Sequence, residues 1–89
     1  HQMLVQSLAL ELAPCVRVNG VAPGVNILPE QHTEQAIDPV AMQRICQSIP
    51  MGRIGTPQDI AETVLFLVNA TYITGQIIAV DGGRSLTLG

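Results

Sequence analysis

The stretch that decides the fold is LELAPCVRVNGVAPG, residues 10–24. It begins inside a helix-like pattern over residues 1–13, which contain no glycine or proline, and Pro14 ends that pattern. Three valines among small residues at 16–22 then predict a strand. Pro23-Gly24 predicts a turn directly after it. A helix that leads into an apolar strand ending in a turn is typical of α/β folds.

The remaining elements are predicted from helical periodicity, a capping pattern and a second apolar run: a short helix at 39–48, a helix at 57–69 and a strand at 76–80. The turn Asp81-Gly82-Gly83 and a tail at 84–89 complete the chain. Two apolar strands joined through helices predict a parallel pair in a sheet that is covered on both faces. Because a sheet usually needs three or more strands to be stable alone, the pattern predicts an incomplete domain.

Composition supports the same interpretation. The chain has 89 residues, of which 47% are hydrophobic and only 12% are charged, whereas an average soluble domain has roughly 25% charged residues. The excess apolar surface is therefore expected to contact more chain or a second subunit. The sequence does not open with Met and carries no secretory signal, and we expect it to be part of a longer protein.

Charge and cysteine usage exclude several function classes. The net charge is −3, and the four basic residues are not clustered, which argues against a nucleic-acid interface. The apolar runs are too short or too polar for a membrane span. Cys15 and Cys46 form no CxxC pair, so both are expected to be reduced thiols of a cytoplasmic protein. His32 has no partner at metal-ligand spacing, and no metal site is predicted.

Three segments carry a family resemblance: LELAPCVRVNGVAPG at 10–24, GRIGTPQDIAETVLFLVN at 52–69 and YITGQIIAVDGG at 72–83. In this order they resemble the C-terminal half of the short-chain dehydrogenase/reductases. The resemblance implies that residues 1–89 are the C-terminal part of one Rossmann-like domain, an α/β doubly wound parallel sheet that binds NAD(P) at the carboxyl ends of its strands.

The same resemblance implies that the catalytic groups lie upstream. Residues 1–13 would end the helix that carries the family's YxxxK pair, and the Gly-rich loop and catalytic Ser would lie further upstream. No residue of this chain is therefore predicted to be catalytic, and the chain is expected to be inactive alone. Asn19 would brace neighbouring loops, as the corresponding residue does in the family.

The turn after the first strand is the predicted cofactor contact. In the family, the backbone after the "PG" dipeptide faces the nicotinamide, which implies a site formed by Pro23, Gly24, Val25 and Asn26. Glycine allows close approach, and main-chain groups can hold a carboxamide. A plain strand-end turn is the alternative. NADP is the expected cofactor, with NAD possible.

The continuation PGVNILP at 23–29 resembles the pteridine reductase branch, with Asn26 where that branch has Ser. This resemblance implies reduction of a pterin, in a pocket bordered by Val25, Ile27, Leu28 and Pro29, with 27–50 as the substrate-binding loop. Ile27 and Leu28 could instead anchor that loop to the core. Two alternatives stay open: a 3-oxoacyl-carrier or other ketone/alcohol reductase of the same family, and an inactive short chain that acts as an assembly partner. The family's interfaces imply a homotetramer for the full protein.

Overall fold

The chain folds into three helices and two short strands. The computed structural model describes residues 2–24 and 38–87. Its elements are helix α1 (Gln2–Leu12), strand β1 (Gly20–Pro23), helix α2 (Pro39–Gln47), helix α3 (Pro57–Asn69), strand β2 (Ile77–Val80) and a short 3-10 helix (Arg84–Thr87). The predicted order of helices and strands is confirmed, and the three helices begin and end within one residue of their predicted bounds.

The two strands form the predicted parallel pair. Their register runs from Gly20 opposite Ile77 to Pro23 opposite Val80. The connection between them passes through α2 and α3. Because the strands are parallel, their carboxyl ends lie at the same edge. Gly24, which follows β1, and the turn after β2 are therefore neighbours.

Strand β1 begins at Gly20, four residues later than predicted, because hydrogen bonds that involve side chains partly replace the backbone pairing before it. The Val18 carbonyl still accepts from the Gly75 N–H at 2.7 Å. The Val18 N–H donates to the Thr74 hydroxyl at 3.1 Å. The Asn19 amide donates to the Ile73 carbonyl at 2.9 Å, and its oxygen accepts from the Gln76 N–H at 3.0 Å. The predicted bracing role of Asn19 is confirmed.

The end of the chain also differs from its prediction. Within the predicted tail, residues 84–87 form a 3-10 helix that the sequence analysis did not predict. The Asp81 carboxylate accepts hydrogen bonds from the N–H groups of Gly83 at 2.9 Å and Ser85 at 3.1 Å. A carboxylate that accepts from N–H groups a few residues ahead starts a helical turn, as an N-cap does.

Arg17, which lies three residues before β1, links that segment to the end of α3 by hydrogen bonds. Its guanidinium donates to the carbonyls of Leu67 at 2.7 Å, Ala70 at 2.8 Å and Val68 at 2.9 Å. The last carbonyls of a helix have no partner within the helix and carry partial negative charge, so a cation there is favourable. No sequence pattern predicted this role.

At its other end, α3 begins with a capping box. Thr56 accepts from the Asp59 N–H at 3.2 Å, and the Asp59 carboxylate accepts from the Thr56 N–H at 2.8 Å. Arg53 adds two hydrogen bonds to the same carboxylate, at 2.8 and 3.1 Å. These partners fix the start of α3 where the sequence predicted it.

The capping box makes stability depend on pH. Hydrogen bonds from Arg53 and then from Thr56 hold the pKa of Asp59 below its ordinary value. The contribution of ionised Asp59 to the stability of the folded protein is therefore complete above the unfolded-state pKa of about 4. This contribution is lost as the pH falls toward the lower folded-state pKa. The effect is small, because Arg53 is 60% exposed.

We expect the wild-type protein to lose more stability than Asp59→Asn between about pH 6 and about pH 3. Urea unfolding at the two pH values measures the loss. Asp38→Asn is the matched control, since Asp38 caps α2 without a side-chain hydrogen bond, and it should behave as wild type. Equal losses in wild type and Asp59→Asn would contradict the prediction.

Much of the apolar surface lies uncovered. Among the described residues, the buried hydrophobic side chains are Ala9, Ile49 and Leu67. In α1, Met3 is 81% and Leu10 83% exposed, and α3 leaves a row of large apolar side chains open: Val64, Leu65, Phe66 and Val68. This agrees with the expectation from composition that these faces contact further protein. No helix in the described ranges is long and apolar enough to cross a membrane.

Candidate functional site

The candidate site is the edge where both strands end. The Gly24 N–H donates to the Val80 carbonyl at 3.0 Å, which extends the pairing one residue beyond β1. Pro23 is exposed and Gly24 is half-buried. In open α/β sheets, ligands bind outside the carboxyl ends of the strands. The two described residues of the predicted cofactor contact therefore lie where such a ligand would bind.

Gly24 is required by the protein's own backbone. A Cβ at this position would lie 2.7 Å from the Asp81 Cβ and 2.8 Å from the Asp81 Cα. The sequence-based interpretation of this glycine is the close approach of a ligand. The structure gives a reason that needs no ligand, namely the approach of the turn after β2. The two reasons do not exclude each other.

Asp81 organises the turn beside Gly24. The hydroxyl of Ser85 and then the N–H of Gly83 lower the pKa of the Asp81 carboxyl from its ordinary value. Both carboxylate oxygens accept from the chain's own N–H groups. A carboxylate with these partners supports a turn, and it is poorly suited to act as a general base.

A cavity of about 240 Å³ adjoins this edge. Val80, Gly82 and Met51 supply part of its lining, and the Arg53–Asp59 pair supplies charge. Small-molecule pockets usually measure roughly 300–1,000 Å³. This cavity is smaller than such pockets, and neither Pro23 nor Gly24 lines it.

The structure locates only part of the predicted site. Pro23 and Gly24 lie together at the sheet edge, whereas Val25, Asn26, Ile27, Leu28 and Pro29 fall outside the described residues. Of the predicted substrate loop 27–50, the structure describes residues 38–50, which contain α2. Within the described ranges, no three His, Cys, Asp or Glu residues cluster as a metal site would require.

Asp81 was not among the site residues predicted from the sequence. One signal could have found it: once the strands are predicted to be parallel, Pro23-Gly24 and Asp81-Gly82 must follow strand ends at the same edge.

Comparison with known proteins gives consistent matches. Residues 2–85 match a family model described as enoyl-(acyl carrier protein) reductase. The chain is 44% identical over 81 residues to the 3-oxoacyl-[acyl-carrier-protein] reductase of Aquifex aeolicus, covering 88% of this chain and 32% of that protein. It is 43% identical over 84 residues to carbonyl reductase family member 4 of Danio rerio, covering 93% and 33%. The chain thus spans about a third of the length of these curated relatives.

A solved structure is similar to this chain at an identity close to that of the curated relatives. The crystal structure of a small-chain dehydrogenase in complex with NADPH superposes with a TM-score of 0.82 at 40% identity. The match covers 96% of this chain and 39% of that one. At this identity, the likeness extends beyond a shared arrangement of helices and strands.

Proposed function

Since the chain belongs to the short-chain dehydrogenase/reductase family, we propose that it forms the C-terminal third of an NAD(P)-dependent oxidoreductase. The predicted fold class, part of a Rossmann-like parallel sheet, is confirmed by the likeness to solved members of the family. The observation that carries the proposed activity is the strand edge. Pro23 ends a parallel strand there and is exposed, and Gly24 follows it beside the end of the second strand.

The proposed role of this edge is to hold the nicotinamide. When bound, the cofactor supplies the hydride for reduction. The chain's own contribution is main-chain positioning at Pro23-Gly24, extended on the basis of the resemblance to Val25 and Asn26. Ile27, Leu28 and Pro29, together with Val25, are proposed to border the substrate. NADPH is the preferred candidate because a similar structure was solved with it; NAD stays an alternative.

The proton donor is proposed to come from another part of the enzyme. The chain contains no lysine, and its single tyrosine, Tyr72, has Gln76 four residues later instead of a lysine. Tyr72 is fully exposed and precedes β2, whereas the candidate site follows the opposite end of that strand. These observations support the interpretation that this chain alone is inactive, with a YxxxK pair supplied elsewhere in the protein.

The substrate class that the comparisons favour is a carbonyl compound. The two curated relatives from Aquifex aeolicus and Danio rerio are named as a 3-oxoacyl reductase and a carbonyl reductase. A pterin is the second candidate, because PGVNILP at 23–29 resembles the pteridine reductase branch. The sequence preference for a pterin stays a prediction.

The function can be tested on the protein expressed from its complete reading frame. Consumption of NADPH and NADH is followed by absorbance with an acetoacetyl thioester and with dihydrobiopterin in parallel. We expect turnover with NADPH and the thioester, and turnover with the pterin alone would select the second candidate. Tyr72→Phe should retain full activity, because this tyrosine lies away from the site. A wild-type protein that neither binds nor oxidises NADPH or NADH would contradict the proposal.

Assembly into a homotetramer is proposed for the complete protein. Support comes from the exposed apolar faces of α1 and α3, and from a groove of about 410 Å³ lined by Leu65, Phe66 and Ala70. An 89-residue chain that is inactive but joins full-length subunits is the remaining alternative. We also propose a cytoplasmic location, which the free thiols of Cys15 and Cys46 support.

A further inference from the structure

We propose that the turn Asp81–Gly83 is a positioning element for the ligand site. The turn holds two separate parts of the chain against each other: Gly24 after β1, and Ile49–Met51 after α2. It would thereby fix the position of the Pro23-Gly24 backbone against the dinucleotide. It would also fix the position of residues 49–51, which connect α2 to α3. This inference rests on the proposed function and names residues that support its site.

The contact with Gly24 is made by backbone and Cβ atoms. A methyl group added at Gly24 would lie 2.7 Å from the Asp81 Cβ and 2.8 Å from its Cα. Neither atom can move by rotation of a side chain. Any displacement of Asp81 therefore shifts the space available to Gly24.

The contact with the end of α2 is equally close. Gly82 has a φ of +63°, and a Cβ there would lie 2.7 Å from the Ile49 Cγ2. Ile49 is only 4% exposed, so its side chain has little room to move. The Met51 N–H donates to the Gly82 carbonyl at 3.0 Å. The turn thus holds this segment by packing and by a hydrogen bond.

The turn is itself fixed by its hydrogen bonds. Both oxygens of Asp81 accept from N–H groups, one of Gly83 and one of Ser85. A turn held in this way moves as a unit, so a change at Gly82 should be transmitted to Gly24 through Asp81. Misplacement of a binding group by about 1 Å can reduce enzyme activity by about 100-fold.

Two glycines that share a backbone conformation and differ in their contacts provide the test. Gly82→Ala places a methyl group against Ile49. Gly52→Ala is the matched control, because Gly52 has a φ of +79° with nothing within 4 Å of an added Cβ. In the protein expressed from its complete reading frame, Gly82→Ala should raise the Kd for NADPH and the substrate KM by about 10- to 100-fold, a change equivalent to about 1.4–2.8 kcal/mol. Gly52→Ala should leave both close to their wild-type values.

The split between kinetic constants separates positioning from instability. A variant that only unfolds loses active molecules, which lowers kcat and leaves KM unchanged. We expect Gly82→Ala to raise KM and Kd as well as to lower kcat, because misplacement of a binding group also reduces the rate. If Gly82→Ala and Gly52→Ala show the same Kd and KM, the inference is wrong.

A compensating change supplies the second test. Ile49→Leu removes the Cγ2 that the new methyl group would meet and keeps the side-chain volume. The double variant Gly82→Ala with Ile49→Leu should recover most of the lost NADPH affinity. A double variant as weak as Gly82→Ala alone would contradict the proposed contact.

Failure of the proposed function has a different signature. In that case wild type itself does not bind NAD(P)H, and amide hydrogen exchange still tests the turn. Gly82→Ala should speed exchange at the Gly24 N–H more than Gly52→Ala does, although residue 24 is distant in sequence from both. Equal exchange rates at Gly24 in the two variants would overturn the inference independently of catalysis.

Discussion

Gly24→Ala is expected to weaken dinucleotide binding strongly. The added methyl group would lie 2.7 Å from the Asp81 Cβ and 2.8 Å from the Asp81 Cα, and a backbone atom cannot yield as the tip of a side chain can. Gly24 and Asp81 must separate, which weakens the hydrogen bond from the Gly24 N–H to the Val80 carbonyl. We expect overpacking to reduce the free energy of unfolding by about 1–3 kcal/mol. We also expect NADPH affinity to fall by about 100-fold, which is equivalent to about 2.8 kcal/mol.

The matched control for this variant is Gly20, the first residue of β1. A Cβ at Gly20 would first meet the Ile77 Cγ1 at 3.3 Å, which is a side-chain atom that can shift by a few tenths of an ångström. Gly20→Ala should therefore cost less stability than Gly24→Ala and should retain NADPH binding. Calorimetric titration with NADPH and urea unfolding measure the two effects. NADPH binding by Gly24→Ala as tight as by Gly20→Ala would show that the proposed contact at this edge is wrong.

Local signals predicted the elements of this fold well. The start of α3 follows from Thr56, Pro57 and Asp59, whose capping interactions are formed within four residues of one another. The parallel pairing of β1 with β2 follows from the order of the elements. The first inference depends on contacts between residues that are close in sequence, and the second depends on the order of the elements. Both features can be read from sequence patterns.

Long-range contacts were not predictable in the same way. Arg17 lies in an apolar run that is typical of a strand, and its partners are 50 to 53 residues away. The late start of β1 was not predictable either, because the hydrogen bonds of Val18 and Asn19 also join them to distant residues, at 73–76. The requirement for Gly24 likewise depends on Asp81, which only the folded sheet brings beside it. The binding residues proposed from 25 to 29 depend on the family resemblance alone.

Arg17→Ala is expected to cause a larger loss of stability than removal of the charge at Asp59 or at Arg44. One guanidinium serves three carbonyls at the end of α3, at 2.7 to 2.9 Å. Hydrogen bonds from a charged donor contribute about 1.5–3 kcal/mol each and are not additive, so we expect the free energy of unfolding to fall by about 2–4 kcal/mol. Arg17→Lys should recover only part of this, since an ammonium keeps the charge but lacks the planar fork.

The position of this loss within the molecule is as informative as its size. Because Arg17 links the approach to β1 with the end of α3, its removal should increase hydrogen exchange in the last turn of α3 more than at the capping box around Thr56. Arg44→Ala is the control: Arg44 lies exposed near the end of α2, and its loss should change stability by less than about 0.5 kcal/mol. If Arg17→Ala were as mild as Arg44→Ala, the three short hydrogen bonds would contribute little, and α3 would be held against the strands by apolar packing alone.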